Sequence, residues 1–335
     1  MIATMKRREF ITLLGGAAAW PLTTTLHAEP YSVMRRLGFL SVGLPDDAFG
    51  QGLMSAFQQG LGAQGWNEAA NLQIDWRWYG ADAALAERQA TELVALKPDV
   101  LFAGGNPAVE KVRQKTKVIP IVFALVSDPL GMGYVESLAR PNGNITGFMS
   151  YDPPLYTKQL QMLTEITPRP TTVAVIYNPQ TAPYASRMLG AMEGAANSFG
   201  VTLRDAPCHD EAEIEAVMAG LAQRGGGGLL AIAEIFNQMH GKAIGALALK
   251  YKIAANVFSR QLVESGGLIS YAIDFPDLYL RAAGYVDRIL KGAKPADLPV
   301  QAPTKFKLTI SLRTARALNL SISTTLLALA DEVIE

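Results

Sequence analysis

Residues 101–115 read LFAGGNPAVEKVRQK: an apolar run fit for a buried strand, a glycine pair, then a helix that opens with Asn106-Pro107. Proline suits the first helical turn, where its missing N–H would have no partner, and a strand feeding directly into a helix is the building step of parallel sheets. Gly104 and Gly105 raise a question of close approach. Either they form a tight βα turn with Asn106 capping the helix, or they bare the backbone so that a ligand can rest on it.

The same alternation runs outward in both directions. Upstream lie the strand RLGFLSV and a helix from Phe49 to Gly65, with Leu53, Phe57 and Leu61 recurring every four residues. The strand LQIDWRWY and a helix from Asp82 to Leu96 follow, and IPIVFALV comes after the quoted stretch. At Thr171 the order restarts with strands TVAVIYN, VTLRDAP, GLLAIAE and IAANVFS separated by helices ending near Gly200, Ala222 and Lys250. The expected fold class is α/β, with two Rossmann-like α/β/α domains of one design.

Open parallel sheets bind ligands outside the carboxyl ends of their strands. Two such edges facing each other make a cleft, with NGNITGFMS (142–150) and GGLISYAIDFPD (266–277) as hinges. Beyond the second, LYLRAAGYVDRILKG reads as an amphipathic helix with Leu280, Ala283, Val286, Ile289 and Leu290 on one face. A third crossing near PVQAPTKFKLTI leads to a last strand and a terminal segment from Thr314. Domain 1 is expected over 33–146 plus 272–299, and domain 2 over 147–271 plus 300–335.

Composition narrows the function. The chain has 335 residues, 49% of them hydrophobic, and 30 basic against 30 acidic side chains, so no basic footprint for nucleic acid or a membrane surface exists. Cys208 is the single cysteine among three histidines, which excludes an intrachain disulfide and argues against a zinc or redox site. No GxxxxGK[ST], HExxH, GxSxG or EF-hand loop occurs, and Gly225 to Gly228 precede a strand instead of following one, so they fail the dinucleotide context. Asp46-Asp47 are expected to be solvated or to cap a helix. No cofactor is expected, and no catalysis.

Residues 1–28 are expected to be a cleavable signal peptide, with Lys6, Arg7 and Arg8 ahead of a short apolar run and Ala28 before Glu29. Arg7-Arg8-Glu9-Phe10-Ile11 is similar to the twin-arginine export pattern; an ordinary Sec signal is the alternative. Cleavage would remove three bases and one acid, leaving 27 against 29. The expected location is the periplasm, and the expected state a monomer.

Together KRREFITLLGGAAAWPL, IPIVFALVSDP, LARPNGNITG, the long segment from GGLISYAIDFPD to LRTARALNL, and the closing LADEVIE resemble the substrate-binding proteins of ABC importers, in the branch of tryptophan/tyrosine type. The resemblance runs the length of the chain. It implies the type I periplasmic-binding-protein fold with three hinge crossovers, a small-molecule solute, and as partners an ABC permease and its ATPase subunit. The chain departs from the commoner pattern at Tyr271-Ala272 and in NPQTAPY (178–184).

Candidate ligand contacts follow from the strand ends. In domain 1 they are Ser41 as a donor, Gly105 and Asn106 at a helix N-terminus suited to a carboxylate, Ser127, and Asp128 for an ammonium group. In domain 2 they are Asn178, Glu234 and Phe258. Glu234 ends an apolar strand, so its charge needs a partner, either ligand or a neighbouring Lys or Arg. Asp274 lies in the crossover, where the related sugar-binding proteins are taken to place a polar contact; Tyr184 and Tyr271 are candidate aromatic walls alongside Phe258. An aromatic or branched amino acid, or a related carboxylate, is the expected solute. A sensor subunit for a signalling receptor and an exported enzyme are the alternatives.

Overall fold

The computed structural model describes residues 33–68, 70–80, 82–150, 153–167, 172–225 and 227–335; the expected signal segment lies outside them. The first lobe runs β1 (Arg35–Ser41), α1 (Ala48–Ala63), β2 (Leu72–Trp78), α2 (Ala83–Ala95), β3 (Val100–Gly104), α3 (Asn106–Lys115), β4 (Ile121–Val126) and β5 (Ile145–Met149). All neighbours pair in parallel, in the order β2-β1-β3-β4-β5.

The second lobe opens with α4 (Pro153–Ile166), β6 (Thr172–Tyr177), α5 (Ala185–Ser198), β7 (Thr202–Pro207), α6 (Glu211–Gln223) and β8 (Gly228–Ala231). It continues through α7 (Ile235–Met239), α8 (Gly241–Lys250), β9 (Ala254–Val257), α9 (Arg260–Glu264) and β10 (Ile269–Ile273). The chain then crosses back, and α10 (Phe275–Leu290) packs on α1 and the first sheet. After Gln301 bridges to Phe148 beside β5, it returns to the second sheet as β11 (Phe306–Ser311), α11 (Leu312–Ala317), α12 (Thr324–Ala328) and β12 (Glu332–Ile334). The second sheet has the order β12-β11-β10-β9-β8-β6-β7, and of its pairings only β10 with β11 is antiparallel. The fold is thus two α/β/α lobes joined by three crossings. The segment after β11 supplies two helices and an edge strand to the second lobe.

Apolar strands buried on both faces explain this layering. Leu53, Phe57 and Leu61 are all buried in α1, as their spacing implies. The first core is aromatic: the Phe39 ring stacks on Phe102 at 4.8 Å, and Phe57 and Tyr279 approach Phe102 at 4.6 and 5.0 Å. Tyr279 comes from α10, so the returning helix completes a core begun over a hundred residues earlier. The Trp66 indole N–H donates to Asp287 at 2.9 Å and ties the end of α1 to the same helix.

One helical face differs from expectation. Leu280 is 38% exposed, while Leu278, Tyr279, Ala282, Ala283, Val286, Ile289 and Leu290 are buried; the buried stripe runs through Phe275, Leu278, Tyr279, Ala282, Ala283 and Val286, which leaves Leu280 beside it. No helix among the described residues is long and apolar enough to cross a membrane.

Candidate ligand-binding site

Both sheets share one topology. In the first, β1 is flanked by β2 and β3; in the second, β6 is flanked by β7 and β8. Strand order therefore reverses direction at β1/β3 and at β6/β8, the switch points beyond which such sheets bind ligands. Residues following the ends of β1, β3 and β8 converge on one cavity between the lobes, and Thr181 of the loop after β6 joins them. Val42 and Gly105 line it from the first lobe, and Ala233 and Glu234 from the second.

The cavity leaves about 60 Å³ open to the centres of water molecules, several times the roughly 10–15 Å³ that one water requires. A second interlobe space of about 250 Å³ adjoins it, sharing Asn106, Pro107, Thr181 and Ile235 as walls.

The glycine pair has a packing reason first. A Cβ on Gly104 would collide with the Ser41 and Tyr279 hydroxyls, and one on Gly105 would lie 2.8 Å from Val42 Cγ1 and 2.9 Å from the Tyr79 hydroxyl. Gly105 also holds φ at +91°, a conformation costly for any residue with a Cβ. It is the N-cap of α3, and no side chain caps that helix. Asn106 is the first helical residue, contrary to the capping reading. Its carboxamide is committed elsewhere: Nδ2 donates to the Ser127 carbonyl at 2.8 Å and Oδ1 accepts the Ser127 N–H at 2.9 Å. What Asn106 leaves facing the cavity is the N-terminal turn of α3, the positive end of its dipole.

Opposite stands Glu234, which is buried. Its Oε2 accepts from Thr181 Oγ1 and the Phe236 N–H, both at 2.7 Å, and its Oε1 from the N–H groups of Asn237 and Asn178 at 3.0 and 3.3 Å. Four donors match the four lone-pair directions of a carboxylate. Burial pushes this carboxyl above its ordinary range, and the four hydrogen bonds pull against that shift. The partner the sequence called for is thus a set of neutral donors, and no ion pair of the described residues includes Glu234. It clamps the 178–181 loop to the start of α7 and presents negative charge to the cavity.

Aromatic rings close the remaining side. Phe275, at the crossover into α10, meets Phe49 of the first lobe edge-on at 6.0 Å and Phe258 of the second at 6.5 Å. Tyr184 is buried against the same space, and burial holds its phenol well above the usual range.

Several expected contacts lie elsewhere. Ser41 pairs with the Tyr279 hydroxyl at 2.5 Å beneath α10; Val42, one residue on, takes the cavity position. The Ser127 hydroxyl faces Ser150, 3.2 Å away, and Ser150 is the one that lines the cavity. Asp128 accepts from Arg187 Nε at 2.9 Å instead of standing open for an ammonium group. The Asn178 carbonyl oxygen of the side chain accepts the Gln180 N–H at 2.8 Å, an Asx turn. Tyr271 stacks on Phe306 at 5.7 Å against the second core. Asp274 caps α10 through the Asp277 N–H and pairs with Lys307 at 3.0 Å, facing a different groove. Gly105, Asn106, Tyr184, Glu234 and Phe258 are brought together around the cavity.

The residues not expected there include Phe49, Leu125, Phe275 and Gln238. Leu125 holds φ at +56° within a register shift between β4 and β5. A leucine in that region is strained, and such strain and bulges gather at binding sites; nothing in a run of apolar residues marks it. Among the described residues no group of three His, Cys, Asp or Glu could hold a metal ion.

A family model described as ABC transporter substrate binding protein matches residues 47–334. The chain belongs to this family of non-catalytic, extracytoplasmic solute-binding proteins, and its fold is that of the type I periplasmic binding proteins. It is 25% identical over 274 residues to the tyrosine-binding protein of Clostridioides difficile (strain R20291), covering 79% of this chain and 75% of that one. Two crystal structures are similar. An ABC domain from Streptococcus pneumoniae in complex with L-Trp superposes with a TM-score of 0.82 at 23% identity, over 90% of this chain and 100% of that one. A conserved domain protein from Vibrio cholerae gives 0.80 at 27% identity, over 90% and 99%.

Proposed function

We propose that this solute-binding protein is a periplasmic receptor that captures an aromatic amino acid by closing its lobes on it, then delivers it to an ABC permease and its ATPase subunit. The observation that carries this reading is the cavity itself. Three phenylalanine rings from both lobes and the crossover surround it, with a buried carboxylate on one side and the first turn of α3 on the other. An aromatic amino acid is a ring with two opposite charges beside it, and these walls supply a counterpart to each. The ammonium group belongs beside Glu234 and the carboxylate at the start of α3. The tyrosine-binding relative and the L-Trp complex support the choice of solute.

Closure is the working step. The closed form joins surfaces of both lobes into one face that a permease can read, and solute stabilises that form by its higher affinity for it.

The test is a thermal-shift screen of residues 29–335 against the twenty amino acids, deaminated aromatic acids and sugars. A solute at 100 times its Kd stabilises the native state by about 2.7 kcal/mol. L-Tyr or L-Trp is expected to raise the midpoint; a shift with sugars alone would contradict the reading.

A further inference from the structure

We propose that Gln238 reads the ammonium group of the bound solute, its carboxamide oxygen accepting a hydrogen bond from it. This inference rests on the aromatic amino-acid reading and adds a residue and an orientation to it. Six polar side chains line the cavity: Asn106, Ser150, Thr181, Tyr184, Glu234 and Gln238. Five have partners within the protein. Asn106 is held by Ser127, Ser150 by Ser127, Thr181 by Glu234, Tyr184 by the Ala233 carbonyl, and Glu234 by its four donors. The sixth is different: Gln238 Oε1 is buried without a hydrogen-bond partner among the described residues.

A buried acceptor left unpaired is costly, and native proteins keep few of them. Gln238 is part of the wall of the solute cavity, so a turn of its carboxamide brings this oxygen to the solute, which supplies the donor. Its neighbourhood selects the donor. Gln238 stands four residues after Glu234, one helical turn along α7, so the unpaired oxygen and the buried carboxylate lie on the same side of the cavity. A positively charged N–H donor pairs with the oxygen and is attracted by the already hydrogen-bonded Glu234 carboxylate, whereas a carboxylate there would be repelled by it. The adjacent Asn237 shows the contrast: its amide nitrogen donates to the Ile176 and Ile232 carbonyls, both at 2.9 Å, and it faces the core.

Isothermal titration of residues 29–335 tests this with L-Trp and with indole-3-propanoate, which lacks only the ammonium group. Gln238→Met keeps the side-chain length and removes the acceptor. It is expected to weaken L-Trp binding about tenfold or more, as for a hydrogen bond to a charged group, and to leave indole-3-propanoate affinity unchanged. Gln238→Ala serves as the second variant should the first not fold. Unchanged L-Trp affinity, or an equal loss for both compounds, overturns the assignment while leaving the amino-acid reading intact. Wild-type protein that binds neither L-Trp nor L-Tyr overturns the amino-acid reading and this assignment with it.

Discussion

Arg187 of the second lobe holds Asp128 of the first: its Nη2 lies 2.8 Å from the Asp128 carboxylate, and the same guanidinium reaches Met132 Sδ at 3.5 Å. Met132, in turn, packs against the second core. The loop after β4 is thereby fastened to the far lobe, and its Met132 lines the larger of the two interlobe spaces. The Arg187 side chain is 52% exposed, so the pair is a surface bridge worth about 0.2–1 kcal/mol. Asp128→Asn is expected to weaken solute binding by at most about fivefold, through faster dissociation, with the effect vanishing in high salt. Stopped-flow release rates at two ionic strengths check it.

Phe275 joins the rings of both lobes. Phe275→Leu keeps most of the apolar volume and removes the two edge contacts, so aromatic solute affinity should fall roughly two- to tenfold. Calorimetric titration against the wild type reads the change.

Gly105→Ala places a methyl group between Val42 and Tyr79 at a backbone angle that favours glycine. The expected cost is about 1–3 kcal/mol of stability, read as a lower denaturant midpoint.

Glu234 makes stability depend on pH. A carboxyl held above its ordinary range by burial binds its proton more tightly folded than unfolded. Its contribution is therefore most favourable below the unfolded pKa and is lost as pH rises through the folded one. Glu234→Gln removes that dependence and turns an acceptor into a donor facing Thr181 and Phe236, a loss of about 1–3 kcal/mol. The wild type's advantage over the variant should be greatest near about pH 4 and shrink toward about pH 8; parallel denaturation profiles would contradict this.

Cys208 is fully buried, and burial, with Glu213 and Asp210 nearby, pushes its thiol up to about 12. Only the thiolate reacts readily. Native protein should resist a disulfide reagent at neutral pH and react at one thiol after denaturation.

The sheets were legible because their inner strands are apolar on both faces and because the order of strand and helix repeats from Thr171. The ends of strands were harder, since one residue of shift changes the face. Ser41 turns under α10 while Val42 reaches the cavity, and Tyr271 faces the second core while Ser270 and Ala272 face the other way. Carboxylates were ambiguous for another reason. Asp274 and Glu234 both follow a strand and both cap a helix, and sequence alone does not say which of two caps borders an empty space. Phe49, Phe275 and Gln238 lie within helices or at their starts, where strand-end position gives no sign of them. Leu125 carried no signal at all, because its left-handed backbone is imposed by the bulge and not by its side chain.

The most direct test of the account is a crystal structure of residues 29–335 grown with L-Trp. The expected result is one solute between the lobes, its ring against Phe258 and Phe275, its ammonium group beside Glu234 and Gln238, and its carboxylate at the first turn of α3. L-Trp bound outside the interlobe cavity, or a cavity that remains free of it at saturating concentration, would contradict the central claim.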